Sequence, residues 1–404
     1  MNHRTLAALA GAAALALTPL SPTALAARRP SETLMTLAMG SARQGWAMTT
    51  TGQVLHTGDG GRQWTNVASP GLTHALEAPG AILLRPAPGG NLIANGVNPN
   101  LVAFPNPWTA WIAVPTGTTG LQVWHTSDGG QRWTTTTLQH VGPYGGGVGL
   151  GEIAAVGNRD AWIVTTSGAL AGHVDIRVWR TSVHHPAWHA VFQGPAAGTS
   201  GLVFVNGSTG VLAEGCNLYE GPDSAALGVT VDGGHRWAWA GNYRSPRTSA
   251  LPLLPGNWAT MVSAPAGIPH TEDVIVPVLM QPQDPAKTTP FKTWWRLEVS
   301  TNGGRTWHML PSTPDPVMTH PPKVIFQVIL QAWISPQVGW VVLGSRIDRT
   351  TDGGRHWAAS RLPAGTVVNL SRVSARVGFA LIQHGNGTTI YRTGDGGGHW
   401  VRVS

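Results

Sequence analysis

The sequence has 404 residues, of which only 11% are charged, and its formal net charge is +7. Glycine is abundant, at 52 residues, and the 19 tryptophans outnumber the 6 phenylalanines and 4 tyrosines together. This composition argues against a coiled coil and against disorder, and no run of Lys or Arg has the form of a nucleic-acid-binding arm.

The N-terminus has the pattern of a secretory signal peptide. His3 and Arg4 precede an apolar stretch over residues 5–17, and residues 23–27 (TALAA) contain an A-x-A cleavage site. Residues 1–26 are therefore predicted to be removed, and residues 27–404 are expected to be exported to the periplasm, the cell envelope or the medium. No later segment has 18 consecutive apolar residues, so no transmembrane span is predicted after cleavage.

One eight-residue motif, [ST]-x-[DN]-G-G-x-x-W, recurs along the chain. The Asp or Asn side chain can accept hydrogen bonds from backbone N–H groups, the glycines supply positive φ, and the tryptophan can pack between neighbouring sheets. The motif therefore predicts a structural hairpin turn. Its predicted structural residues are Asp59, Trp64, Asp128, Trp133, Trp188, Asp232, Trp237, Asn302, Trp307, Asp352, Trp357, Asp395 and Trp400.

The copy that contains Trp188 is degenerate. It spans residues 181–188, where Val183 removes the acceptor side chain and Pro186 removes a backbone donor. This turn is expected to be held mainly by Trp188. In an intact copy, Trp357→Ala is expected to cost about 3–5 kcal/mol if the indole is buried between sheets.

A shorter motif precedes the eight-residue motif, here called the box, in most copies. Apolar, strand-like runs flank this shorter motif. Its copies are Gly45-Trp46, Ala110-Trp111, Ala161-Trp162, Gly210-Val211, Asn257-Trp258, Gly339-Trp340 and Gly378-Phe379. Each repeat thus predicts four antiparallel strands, A to D, with the box between strands C and D.

Seven such units predict an all-β, seven-bladed propeller in one domain over residues 27–404, closed by packing of whole blades. The approximate units are residues 33–70, 100–140, 150–195, 200–243, 252–312, 323–362 and 367–404.

The eight-residue motif resembles the Asp-box, or BNR, repeat. The longer pattern from Gly45 to Trp64 is similar to the photosystem II stability/assembly factor family of WD40/YVTN/BNR-like propellers. Members of that family are non-enzymatic and bind a protein client through an arginine patch. The same box also occurs in sialidases and xyloglucanases, so the resemblance is more specific for fold than for function.

Three arginines are candidates for a binding surface. Arg43 and Arg159 lie three residues before the tryptophan of the A–B turn, and Arg376 lies three before Phe379. In a propeller the A–B and C–D turns emerge on one face, so these arginines are expected to share a face with the boxes. They form either a basic docking surface for an acidic partner or ordinary solvated turns.

The opposite face is predicted to carry three long insertions, at residues 65–105, 134–150 and 263–293. Long loops on a rigid scaffold often carry function. The last insertion, with Glu272, Asp273, Lys287 and Lys292, is the leading candidate for specific recognition. The alternative is a mobile loop without a ligand.

The enzymatic alternative is an extracellular glycoside hydrolase, sialidase-like or xyloglucanase-like, which needs two facing carboxylates. No spacing selects such a pair, and Tyr219-Glu220 is the one adjacent Tyr-Glu pair. His184, His185 and His189 could bind a metal but are better explained as turn residues. The sequence therefore predicts an exported, monomeric, non-enzymatic scaffold with no cofactor or metal. Its expected partner is a protein client or an envelope or extracellular glycan, and not a nucleic acid.

Overall fold

The computed structural model consists almost entirely of β-strands and confirms the seven-bladed propeller. Thirty strands and one helix are described, and the strands form seven antiparallel sheets. The described residues are 33–78, 101–143, 149–166, 174–182, 184–196, 201–214, 226–240, 258–268, 270–282, 293–314, 317–318, 329–343, 346–360 and 362–403. The predicted signal peptide lies outside them.

Six blades each contain four consecutive strands, paired in chain order. Blade 1 contains β1 (Leu34–Met39), β2 (Gly45–Thr49), β3 (Val54–Thr57) and β4 (Thr65–Asn66). Blade 2 contains β5 (Val102–Asn106), β6 (Thr109–Thr116), β7 (Gly120–Thr126) and β8 (Thr134–Leu138). Blade 3 contains β9 (Gly149–Val156), β10 (Asp160–Thr166), β11 (Val174–Thr181) and β12 (His189–Ala196).

Blades 4, 6 and 7 follow the same order, whereas blade 5 is a six-stranded sheet. Blade 4 contains β13 (Gly201–Phe204), β14 (Gly210–Glu214), β15 (Ala226–Thr230) and β16 (Ala238–Ala240). Blade 5 contains β17 (Trp258–Val262), β18 (Ala266–Gly267), β19 (Val274–Pro282), β20 (Thr293–Ser300), β21 (His308–Met309) and β22 (Val317–Met318). Blade 6 contains β23 (Gln331–Ser335), β24 (Val338–Leu343), β25 (Arg346–Thr350) and β26 (Ala358–Ser360). Blade 7 contains β27 (Thr366–Arg372), β28 (Gly378–His384), β29 (Gly387–Thr393) and β30 (Val401–Arg402).

In blade 5 the assignment of the short motif to Asn257-Trp258 is wrong. In the other blades the first residue of the short motif pairs with the Thr that opens the box, as Gly45 does with Thr57. The box of blade 5 opens with Ser300, and the residue that pairs with Ser300 is Val274. Trp258 instead begins the inner strand β17. The apolar run around Pro277 is therefore a central strand and not part of an insertion. Proline is tolerated there because it lies opposite the break between β17 and β18, where its carbonyl accepts the Ser263 N–H at 2.9 Å.

The box turns owe their shape to local hydrogen bonds. In blade 1, Thr57 Oγ1 accepts the N–H of Gly61 at 3.0 Å and donates to Asp59 Oδ1 at 3.0 Å. Asp59 Oδ1 also accepts the backbone N–H groups of Arg62 and Gln63, at 3.0 and 2.9 Å. Both glycines of every intact box have positive φ, between 70° and 97°, which explains the Gly-Gly pair. The degenerate turn is held by backbone bonds between Ser182 and His185 as well as by Trp188.

The core consists of apolar seams between adjacent blades. At the seam of blades 7 and 1, Phe379, Leu381 and Ile390 pack against residues that include Leu55 and Trp64. The ring closes here without strand exchange among the described strands. The hydrogen bonds between blades 7 and 1 include Leu34 N to Thr388 Oγ1, 2.8 Å, and Met39 N to Ser371 Oγ, 2.7 Å.

Box tryptophans pack into these seams to different depths. Trp64 is 1% exposed and Trp307 is 7% exposed. Trp357 is only half-buried, although it packs edge to face against Trp333 with 6.2 Å between ring centroids. The loss of stability expected on replacing a buried tryptophan by alanine therefore applies to Trp64 better than to Trp357.

The one described helix, α1 (Pro70–Glu77), lies in the segment that the sequence assigned to an insertion. Ser69 Oγ accepts the Leu72 N–H at 3.2 Å and caps the helix, and Pro70 occupies its first turn. Leu72 and Leu76 are buried against the seam of blades 1 and 2. The helix thus covers that seam.

Candidate functional site

The A–B turns and the box turns form one face of the ring, here called the box face. In blade 1 the Gly60 N–H donates to Arg43 O at 2.7 Å, and in blade 7 the Gly396 N–H donates to Arg376 O at 2.7 Å. The four other intact boxes make the same bond from their first glycine. These bonds attach the A–B turns of six blades to their boxes, and blade 3, whose box is degenerate, lacks this bond among the described residues.

The three candidate arginines lie on this face, as the sequence predicts. Arg43, Arg159 and Arg376 occupy the A–B turns of blades 1, 3 and 7, and all three are exposed. None forms an ion pair with another residue in the described parts of the chain. Their guanidinium groups are therefore free to meet a partner's carboxylates, although the binding role itself stays a prediction.

Between these arginines the structure places Trp108, which the sequence analysis missed. Trp108 is in the A–B turn of blade 2 and is 45% exposed, and its carbonyl accepts the Gly129 N–H at 2.9 Å. The signal available in the sequence was an extra tryptophan just before Ala110-Trp111. Blades 7, 1, 2 and 3 thus present Arg376, Arg43, Trp108 and Arg159 in ring order, here called the arginine–tryptophan arc.

Direct contacts join the neighbouring turns of blades 1, 2 and 3. A Cβ placed on Gly40, in the turn of blade 1, would lie 2.5 Å from Cδ of Pro107 in the turn of blade 2. Asn158, in the turn of blade 3, accepts hydrogen bonds from Asn106 Nδ2 at 2.9 Å and from Thr109 Oγ1 at 3.1 Å. These contacts hold the exposed side chains at fixed spacing.

A second set of polar residues lies at the seams, one position before the Thr that opens the box turn, in five of the seven blades; blades 4 and 5 have Val229 and Val299 there. The His56 imidazole makes a 2.9 Å hydrogen bond to Pro107 O, and His125 makes one to Asn158 O at the same distance. Arg180 occupies the equivalent position in blade 3 and donates to Gly207 O at 2.8 Å. Each of these residues ties its own blade to the A–B turn of the next.

The two seam histidines predict a pH dependence of stability. Burial lowers the pKa of both His56 and His125 below the usual value of about 6.5, and the backbone hydrogen bonds only partly oppose this. The unfolded chain therefore binds more protons than the folded chain just below pH 6.5, and stability falls as the pH drops from 7 towards 5. We expect His56→Gln combined with His125→Gln to flatten this loss in urea denaturation series at several pH values.

The exposed His74 provides the control for that series. His74→Gln should leave the pH dependence as it is in the unmodified chain. A double variant whose stability falls as steeply as that of the unmodified chain would show that the seam histidines are not responsible.

The acidic candidates lie elsewhere than predicted. Glu272 is in the A–B turn of blade 5, where its carbonyl accepts the Gly303 N–H at 2.8 Å, so Glu272 and Asp273 are on the box face and not opposite it. The Glu272 carboxylate lies 3.4 Å from Arg305 Nη1. The error has the same origin as the assignment of Trp258, since strand β19 was taken for a loop. Lys287 and Lys292 lie outside the described residues.

Two buried carboxylates face the seams, since Glu298 pairs in register with Val276 and Asp348 with Val341, which both belong to seam cores. Glu298 is 0% exposed, with Oε1 2.7 Å from Arg296 Nε, and Asp348 Oδ2 lies 2.8 Å from Arg346 Nε. Burial raises the pKa of Glu298, although the charge of Arg296 opposes this. Each acid is thus paired with an arginine two residues earlier on its own strand. Tyr219 and Glu220 are outside the described residues.

The described residues contain no group of three or more His, Cys, Asp or Glu side chains arranged to hold a metal ion. His185 and His189 contact each other edge to face, with 5.9 Å between ring centroids, in the degenerate turn. Within the same ranges, no helix combines the length and the hydropathy that a membrane span requires.

Comparisons with known proteins support the fold. No protein-family model and no curated protein matches the sequence. A solved structure of YCF48 bound to a D1 peptide is 17% identical with a TM-score of 0.50, covering 90% of this chain and 91% of that one. YCF48 from Cyanidioschyzon merolae is 16% identical with a TM-score of 0.50, covering 91% of this chain and 97% of that one. A GH74 xyloglucanase from Xanthomonas campestris has a TM-score of 0.37 at 13% identity, covering 91% of this chain and 77% of that one.

The seven sheets and their glycine-rich turns define the chain as a seven-bladed β-propeller. Within that class its fold is similar to that of YCF48, a photosystem II assembly factor. At these identities the likeness concerns the fold alone.

Proposed function

We propose that this protein is an exported, non-enzymatic propeller that binds a protein client through the arginine–tryptophan arc. The observation that carries the proposal is the arc itself: three exposed arginines without ion pairs in the described chain, and one exposed indole, all on hydrogen-bonded turns of four consecutive blades. The rigid frame lowers the conformational entropy lost on binding.

The chemistry of the arc favours an acidic partner with at least one apolar side chain. Arginine binds carboxylates in a bidentate geometry, and arginine and tryptophan are enriched among residues that dominate protein–protein binding energy. The net charge of +7 also favours an acidic client through long-range attraction. The complex of YCF48 with a D1 peptide supports a protein client for a propeller of this fold.

The proposal is tested by capture from the host's envelope fraction. We expect the chain without its signal peptide to retain a protein, and Arg43→Ala, Arg159→Ala and Arg376→Ala together to reduce retention at least tenfold. Trp108→Ala alone should reduce it several-fold. The charge effect should weaken as salt is raised, because exposed charges are screened.

Arg236→Ala provides the control, since Arg236 is also an exposed arginine, on the box turn of blade 4 and outside the arc. It should leave retention unchanged. Equal capture by all variants would contradict the role of the arc. Retention of a polysaccharide in place of a protein would make the partner a glycan, and release of sugar from it would establish the hydrolase.

Export rests on the sequence of residues 1–26 and has its own test. We expect the protein to be recovered from the periplasm, envelope or medium of its host with Ala27 at its N-terminus, as determined by mass spectrometry. Recovery of the full-length chain from the cytoplasm would contradict export.

A further inference from the structure

Two arginines from adjacent blades lie beside one indole at the seam of blades 6 and 7. Trp340 is fully buried on β24, and Arg349 on β25 lies directly opposite it in the antiparallel pairing. Arg372, the last residue of β27, places its guanidinium carbon 4.2 Å from the centroid of the Trp340 ring. The two guanidinium groups therefore approach the same site from different blades.

The hydrogen bonds of this pair are incomplete. Arg372 donates from Nε to Ser374 O at 3.2 Å and from Nη2 to Ala375 O at 3.1 Å, whereas its buried Nη1 has no partner. Arg349 makes one long bond, 3.4 Å from Nη1 to Asp395 O. The indole Nε1 of Trp400, which packs edge to face on Trp340, is also buried without a partner. The seam thus has more donors than acceptors.

The positive charges are not neutralised by the described residues. Burial, together with the charge of Arg349, lowers the pKa of Arg372 to about 10. The nearby Asp395 carboxylate already accepts from Thr393, His399 and the backbone of its own box. Neither arginine forms an ion pair in the described parts of the chain.

Other seams show that the fold does not require this charge pair. In the seam of blades 3 and 4, Phe204 stacks on Trp162 with 3.6 Å between ring centroids. In the seam of blades 1 and 2, Phe104 stacks on Trp46 at 5.5 Å. Phe204, like Arg372, is the last residue of an inner strand. A phenyl ring can thus cover the indole, so packing alone does not require a guanidinium group at this position.

We propose that the seam between blades 6 and 7 binds an oxyanion, either a free phosphate or sulfate or a partner's carboxylate, between the guanidinium groups of Arg349 and Arg372. Arginine's planar donors match the paired oxygens of all three groups. The ligand bridges the unpartnered Nη1 of Arg372 and the guanidinium group of Arg349, whose one described hydrogen bond is long. Binding relieves the repulsion between the two cations. The proposal goes beyond the client-binding function, because it requires no client and uses none of the arc residues.

The test is thermal unfolding of the full chain without its signal peptide, in sodium phosphate or sulfate and in sodium chloride of equal ionic strength. Excluded salts such as sulfate stabilise most proteins, so only the difference between variants reports the site. We expect millimolar phosphate or sulfate to raise the Tm of the unmodified protein by about 2 °C more than that of Arg349→Gln or Arg372→Phe.

Arg372→Phe imitates the other seams and should keep the fold, while Arg349→Gln should not lower the Tm in low salt, because it removes a repulsion. Arg236→Gln, on another box, should respond like the unmodified protein.

A capped glutamate-containing peptide distinguishes the sources of the oxyanion. A Tm shift that depends on the two arginines and occurs with the peptide alone indicates a partner's carboxylate, and one that occurs with phosphate or sulfate alone indicates a free ion. Equal shifts in the unmodified protein and both seam variants, with every ligand, would overturn the proposal. This outcome is independent of client capture.

Discussion

Replacing Trp64 by alanine is expected to lower the free energy of unfolding by about 3–5 kcal/mol, as for other fully buried tryptophans. Trp64 is 1% exposed at the seam of blades 7 and 1, and its indole N–H donates to Gly61 O at 3.0 Å. Truncation leaves a cavity against Ile390 and removes the bond that ties the ring to its own box. Urea denaturation followed by circular dichroism measures the loss.

Trp357→Ala is the matched comparison, because it changes the same motif position in blade 6. Trp357 is half-buried, so less apolar area is lost and we expect a cost of about 1–2 kcal/mol. Equal losses in the two variants would show that burial does not set the importance of the box tryptophan. A loss below about 1 kcal/mol for Trp64→Ala would contradict its packing role.

Arg296→Leu is expected to destabilise the protein by about 3–5 kcal/mol at pH 7, because it leaves the Glu298 carboxylate buried without its 2.7 Å partner. The exposed pair of Arg305 and Glu272, 3.4 Å apart, supplies the control. Arg305→Leu should cost less than about 1 kcal/mol. Urea denaturation at constant salt measures both losses.

The pH dependence of the Arg296→Leu variant gives a second signature. Burial already raises the pKa of Glu298, and loss of the arginine raises it further. The folded variant then holds a proton on Glu298 at a pH where the unfolded chain has released it. The difference in stability between the variant and the unmodified protein therefore narrows as the pH is lowered from 7 towards 5. Adding Glu298→Leu should restore most of the stability at pH 7. A double variant as unstable as Arg296→Leu would indicate that packing, and not the buried charge, is responsible.

The sequence predicted the turns best, because their stabilising contacts are local. The bonds of Thr57 and Asp59 all fall within one box, so the motif alone indicates the geometry. Blade 5 was misassigned because Pro277 interrupts an apolar run, and proline is normally evidence against a central strand. Helix α1 had a readable signal in Ser69-Pro70 followed by Leu72 and Leu76, but the length of the segment suggested an insertion.

The candidate site was predictable only in part. Arg43, Arg159 and Arg376 were identified because they keep a fixed spacing from an aromatic residue within one repeat. Contacts between blades join residues far apart in sequence, such as Trp46 Nε1 and Asn106 O at 3.1 Å, and no periodicity reveals them. Arg349 and Arg372 come together for the same reason, since they belong to different blades. In five of the seven repeats, an Arg or His just before the Thr that opens the box was the sequence signal for these seam positions.

The closure of the ring has a consequence for how such a chain can evolve. Blades 7 and 1 meet through side-chain bonds such as Leu34 N to Thr388 Oγ1, and each described sheet is made from one uninterrupted stretch of repeat. Duplication or deletion of one complete unit therefore leaves every remaining sheet with all of its strands. The number of repeats can change in whole steps, with only the two seams next to the change needing new packing.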